Sequence, residues 1–131
     1  MYTFTKEERL CNKKLLDELF RNGSSFLVYP FRITFKYATL PEQVLAQVVI
    51  SVPKKRYKRA HDRNLIKRRI REAYRLHKAD LFYPELNNNN RQLILGISYI
   101  GKEINDYQFI EKKLKLVFER LKAAYDEPKE G

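Results

Sequence analysis

The chain has 131 residues, 44% of them apolar, which suits one compact domain and is too short for two ordinary ones. No apolar run approaches the ~20 residues of a membrane span. MYTFTKEERL lacks the apolar stretch of a secretory signal, and a single cysteine, Cys11, excludes an internal disulfide framework and a cysteine-rich zinc site. This is the composition of a reduced, soluble, cytoplasmic protein. Charge narrows the class further: 27 Lys and Arg against 16 Asp and Glu give a net +11. Between Lys54 and Lys78, 12 basic residues face only Asp62 and Glu72, a net of +10, so the rest of the chain carries +1. A cation concentrated in this way points to nucleic acid, and less often to an anionic membrane surface.

In chain order, two early segments read as helical. Thr5 with Glu8 three residues on has the form of a capping box. Asn12 then precedes KKLLDELFRNG, where Leu15, Leu16, Leu19 and Phe20 form an apolar stripe and Gly23 is the expected stop. FRITFKY alternates as a half-buried strand, with Phe31, Ile33, Phe35 and Tyr37 inward. Leu40-Pro41-Glu42 suits a turn, and VLAQVVISV predicts a second strand, ended by Pro53. PELNNNNRQ reads as a loop, with no function assigned to its asparagines. Gln92–Tyr99 is a further strand, Asn105 to about Tyr125 an amphipathic helix, and DEPKEG a frayed tail.

These elements predict an α+β sandwich in one domain, residues 1–125, with a tail at 126–131. Helices cover the apolar face of the sheet. Its other face presents Arg32, Thr34, Lys36, Gln47, Val49, Ser51, Gln92, Gly96 and Ser98, and is open as a shallow groove.

The basic segment is itself a helix in this reading, with Asp62 as its N-cap. At about 100° per residue, Leu65, Ile66, Ile70, Ala73, Leu76 and His77 gather on one side. Arg63, Asn64, Lys67, Arg68, Arg71, Arg75 and Lys78 gather on the other, with Tyr74 at the margin. Arg69 falls inside the apolar arc and must snorkel or find a partner. A merely solvated helix face normally mixes charge signs, and this basic arc holds no acid. Arginine ridges suit phosphate, because guanidinium offers a planar fork of donors. Upstream, KKRYKRAH prolongs the patch and interleaves Tyr57, which either stacks on a base or covers apolar surface.

RNLIKRRIREAYR resembles the signature of the bacterial ribonuclease P protein subunit, with Arg63, Asn64, Lys67, Arg68 and Arg71 at matching places. ISVPKK, with Ser51, Lys54 and Lys55, is similar to that family's strand end and lysine pair. Arg9-Leu10 followed by LLDELFRNG resembles its first helix, with Phe20 and Gly23 at the expected spacing. The resemblance implies a mostly four-stranded sheet with about three helices, the ribosomal protein S5 domain 2-like fold, with a left-handed βαβ crossover. The usual crossover is right-handed. It implies that an RNA subunit performs metal-assisted hydrolysis at the 5′ end of precursor tRNA, with magnesium held mainly by RNA and substrate. The protein, a monomer in a 1:1 complex away from membranes, would dock Arg63, Asn64, Lys67, Arg68, Arg71 and Arg75 on that RNA. It would hold the 5′ leader in a groove between the first helix and the open sheet face, along Phe20, Arg32, Thr34, Ser51, Lys54, Lys55 and Asn64. Three departures stand out: Leu65 replaces the third residue of the Arg-Asn-Arg signature, Leu16 and Thr34 stand where aromatics are common, and RYKRAHD lacks a glycine.

No protein-based catalytic or metal site is apparent. Of the two histidines, His77 reads as a packed core residue, and His61-Asp62 has no further ligand nearby. Cys11 has no adjacent base, and no glycine loop is built for phosphate. Rival readings are a non-catalytic RNA-binding or ribosome-associated protein, a DNA-binding protein and a membrane anchor. The ridge is too uniformly Lys/Arg for base readout in a major groove, and the sheet needs the apolar arc that an anchor would spend on lipid.

Overall fold

The computed structural model describes residues 4–125. The tail expected at 126–131 lies outside the described residues. Helix α1 spans Lys13–Asn22 because Asn12 caps it: its side-chain oxygen accepts the backbone N–H groups of Lys14 at 2.9 Å and Leu15 at 3.1 Å. Gly23 follows because nothing larger fits. A Cβ there would lie 2.4 Å from the Leu19 carbonyl oxygen and 2.9 Å from Thr34 Cγ2.

The sheet contains β1 (Ser24–Val28), β2 (Phe31–Tyr37), β3 (Ala46–Ser51) and β4 (Leu93–Tyr99), in the spatial order β1-β2-β4-β3. β1–β2 and β2–β4 are antiparallel, and β3–β4 is parallel. The parallel pair is joined through α2 (Ala60–Leu81) and the short α3 (Tyr83–Asn88); α4 (Tyr107–Tyr125) closes the fold. Three strands were expected from residue patterning, and the structure adds β1. SSFLV is short, and only Phe26 and Val28 turn to the core, so its alternation is a weak signal. β3 is also shorter than the segment 44–52 that the pattern suggested.

The main core lies between one sheet face and α2 and α4. Phe31, Ile33, Leu95 and Ile97 meet Ile66, Ile70, Ala73 and Tyr74 of α2 and Ile110, Leu114, Val117, Phe118 and Leu121 of α4. The expectation from residue patterning that the helices share this face is corrected by α1, which packs on the opposite one, the side the family resemblance implies. There Leu19 and Ile94, both fully buried, join Leu10, Leu40 and Val44 in a second cluster. Tyr74, placed at the helix margin by its angle, is fully buried.

PELNNNNRQ is not wholly a loop. Pro84 sits in the first turn of α3, where its missing N–H costs nothing, and Asn87 and Asn88 belong to the helix. Nor is Asp62 the N-cap of α2. The helix starts at Ala60 after Arg59, and Asp62 lies in its first turn, where a carboxylate favours the positive end of the dipole.

Thr5 and Glu8 do form a capping box, but around a single 3-10 turn, Lys6–Glu8. Arg9 then forms a parallel bridge to Val48, and the Leu10 N–H donates to the Val48 carbonyl at 2.9 Å, so this segment covers the edge of β3. Glu8 anchors it. Its carboxylate accepts hydrogen bonds from the Thr5 N–H, the Lys78 ammonium and the Tyr83 hydroxyl. Lys78, expected on the basic arc, is therefore buried, 2% exposed, and ringed by Phe4, Tyr74 and Tyr83. The wheel angle placed it outward. A carboxylate and three aromatic rings at the end of the helix outweigh that preference.

Burial opposes charge on Glu8, but its hydrogen bonds outweigh that effect and hold the carboxyl below its ordinary 4.5. The stabilisation is full above that ordinary value and is lost as pH falls through the lowered one. Glu8→Ala should cost about 2–4 kcal/mol by orphaning the buried ammonium. Lys78→Met, which keeps the apolar stem among the rings, should cost less. Urea denaturation of both variants at neutral pH, repeated for the parent chain at decreasing pH, checks the ranking and the acid loss.

Candidate nucleic-acid interface

Burying Ile66, Ile70, Ala73 and Tyr74 turns the opposite side of α2 to solvent. Asn64, Arg68 and Arg71 are exposed there, with Lys67 half-buried beside them. Among the described residues, Lys67, Arg68 and Arg71 form no ion pair with a carboxylate. The other expected cations are engaged within the protein. Arg63 donates to the carbonyls of Tyr57 at 2.7 Å and Lys58 at 2.9 Å, tying the turn before α2 to the helix. Arg75 pairs with Glu72 at 2.5 Å, which raises the guanidinium's pKa and lowers that of the carboxyl. Arg69 does find a partner, the Asn105 carbonyl at 2.7 Å. His77 is not packed in the core: it is half-buried, and Nε2 lies 2.8 Å from Glu111, whose carboxyl is lowered chiefly by that hydrogen bond.

Across the molecule, α1 and the sheet enclose a cavity of about 420 Å³. Phe20, Arg32, Thr34 and Ser51, four of the residues expected to line a groove, meet there with Ser25, Ser98, Val52, Pro53, Tyr99 and Ile100. Phe20 is 55% exposed: Leu19 seats the helix, and the Phe20 ring stands as a wall. It reaches over Gly96, where a Cβ would lie 3.3 Å from Leu19 Cδ2 and 3.5 Å from the Phe20 ring. Hydroxyls line the floor in pairs, Ser51 with Ser98 at 3.1 Å and Ser25 with Thr34 at 3.2 Å. No carboxylate is among the lining residues.

Lys55 lines an adjoining hollow that shares Pro53 and Ile100 with this cavity. Lys54 is exposed in the same turn, and neither it nor Asn64 lines the groove. That turn is fixed to the end of β4, since Arg56 donates to the Ile100 carbonyl at 2.8 Å and the Tyr57 hydroxyl to Gly101 at 2.7 Å. Tyr57, 7% exposed, therefore covers the core and offers no stacking face. Thr34 is 6% exposed, so the sheet face is less open than its polarity suggested. Ser25, on the short β1, also lines the groove, and the weak alternation of SSFLV is its one sequence signal.

The family described as Ribonuclease P matches residues 4–122. The chain belongs to the ribonuclease P protein family. It is 30% identical over 114 residues to the ribonuclease P protein component of Porphyromonas gingivalis, covering 87% of this chain and 82% of the relative. With that of Acinetobacter baylyi it shares 37% over 81 residues, 62% of this chain and 60% of the relative. Among solved structures, the Thermotoga maritima protein superposes with a TM-score of 0.68 at 21% identity, covering 86% of this chain and 96% of that one. The Staphylococcus aureus protein gives 0.67 at 20%, covering 87% and 94%. These likenesses establish the shared α+β fold. The chain is thus a protein component of ribonuclease P, a tRNA-processing endonuclease as a complex. No described helix is long and apolar enough to cross a membrane. No three His, Cys, Asp or Glu side chains gather as a metal site among the described residues.

Gly96 is the point on which the ribonuclease P groove depends. Gly96→Val should overpack the seat of α1 and destabilise the protein by about 1–3 kcal/mol. Ser98→Val, two residues along the same strand, should cost less, because Ser98 is only half-buried and lines the cavity rather than the seat of Leu19. Paired thermal melts give the comparison.

Proposed function

We propose that this protein docks on the ribonuclease P RNA through α2 and holds the 5′ leader of precursor tRNA between α1 and the sheet. The observation that carries this reading is the pairing of two anion-compatible surfaces. One is a ridge at Lys67, Arg68 and Arg71 with no carboxylate partner among the described residues, and the other is a groove with an aromatic wall, hydroxyl floor, one arginine and no carboxylate in its lining. Phosphate ridges of this kind position a protein on RNA without reading sequence. A groove with an exposed aromatic suits unstacked single strands.

The RNA subunit carries the hydrolysis in this scheme. Magnesium belongs to the RNA and the substrate phosphates, since a hard cation seeks carboxylate and other oxygen ligands and the groove offers hydroxyls beside a guanidinium. The protein supplies cationic contact and leader positioning, as a cytoplasmic monomer in a 1:1 complex with the RNA.

The test is reconstitution with a bacterial ribonuclease P RNA at low magnesium. The protein should raise affinity for precursor tRNA and lower the magnesium requirement, whereas protein alone should cleave nothing. Specific cleavage by RNA-free protein would overturn the division of roles. Phe20→Ala should weaken holoenzyme binding of leader-bearing tRNA while leaving mature tRNA almost unaffected. Docking should show log affinity falling with log salt by roughly 0.7–0.9 per phosphate contact. Arg68→Ala with Arg71→Ala should weaken binding and flatten that slope; an unchanged slope would place the RNA elsewhere.

A further inference from the structure

Strand β1 adds a residue to the groove face that the family resemblance does not supply. The register sets Leu27 opposite Arg32, Arg32 opposite Ser98, and Ser98 opposite Ser51, so these four side chains form one row across the sheet on the groove side. Directly paired residues point to the same face. The neighbouring row is Ser25, Thr34, Gly96 and Val49, and Phe20 stands over its glycine.

On this face the apolar side chains divide cleanly. Ile94 is fully buried and Val49 packs against the same cluster beneath α1. Leu27 is 57% exposed, although its strand neighbours Phe26 and Val28 turn the other way and pack on the main core. An outward position on a half-buried strand normally carries a polar residue. Ser25, Arg32, Thr34, Ser51 and Ser98 around it obey that rule, and Leu27 does not. It lies just outside the cavity, next to the exposed Arg32, its cross-strand partner, which lines it. From the footing of Phe20 on β4 to Leu27 on β1 is two strand spacings and one row, on the order of 12 Å.

We infer that Leu27 is a further leader-contacting residue of the ribonuclease P substrate path. It offers an apolar surface to a nucleotide beyond the one at Phe20, while Arg32 beside it meets the phosphate. The path thus crosses the sheet from Ser51 and Ser98 outward over the edge strand, and the apolar contact that Leu16 and Thr34 do not provide is supplied at β1. This rests on the proposed leader groove and deepens it. The partner is single-stranded RNA, because the patch adjoins a guanidinium and hydroxyls in a strongly basic protein.

The experiment uses holoenzyme reconstituted with a bacterial ribonuclease P RNA and measures affinity for tRNAs with leaders of increasing length. Leu27→Thr keeps a strand-favouring side chain and should weaken binding about three- to tenfold, but only once the leader is long enough to reach β1. Leu27→Phe should tighten binding of the same substrates about threefold or more, through base stacking. Both should bind mature tRNA and the RNA subunit as the parent does. Loss that is independent of leader length, equal loss of RNA-subunit binding, or no change in either variant would overturn the assignment. Phe20→Ala separates the two levels. If its effect is leader-dependent and that of Leu27 is not, the groove stands and its extension fails; if neither is, the groove reading itself fails.

Discussion

The parallel pairing of β3 with β4 is the constraint from which the rest follows. A parallel connection needs a crossover, and α2 is that crossover. It must bury one stripe against the sheet, so Ile66, Ile70, Ala73 and Tyr74 go inward, and Asn64, Arg68 and Arg71 are left exposed on the other side. The cationic ridge is the unavoidable other side of a structural helix. Repulsion along it is tolerated because the core, rather than helix propensity, holds α2 in place.

The fold ties down several of these cations, two of them against carboxylates and two against backbone carbonyls. Lys78 is drawn under the N-terminal segment by Glu8, Arg63 ties down the preceding turn, Arg69 caps the loop at Asn105, and Arg75 pairs with Glu72. Each is a hydrogen bond to a fixed partner. On the exposed side of α2, Lys67, Arg68 and Arg71 keep no carboxylate partner among the described residues, a narrower surface than the count of basic residues suggests.

The groove arises from a different economy. A sheet in a small domain usually covers one face and leaves the other to water. Here α1 covers part of the second face, and Gly96 makes room for Leu19 and Phe20 to approach the backbone. Leu19, with Leu15 and Leu16 beside it, seats the helix, and Phe20 stays exposed. The hydroxyl pairs beneath it leave the floor flat and polar.

The sequence by itself determined the periodicities: the alternation of FRITFKY, the stripe of KKLLDELFRNG capped by Asn12, and the stripe and ridge of RNLIKRRIREAYR. It also brought Phe20, Arg32, Thr34 and Ser51 into consideration together, through the family resemblance, and the structure gathers them in one cavity. Periodicity gives a side chain's angle about its own element and is silent about what stands opposite. Wheel angle therefore does not show that Lys78 meets Glu8, that Tyr74 is covered by Phe82 and Phe118, or that α1 lies across the sheet from α2 and α4. The register of β4 against β2 and β3, which carries Ser98 to Arg32 and Ser51, is a long-range pairing with no local signature. Only the assembled sheet decides it.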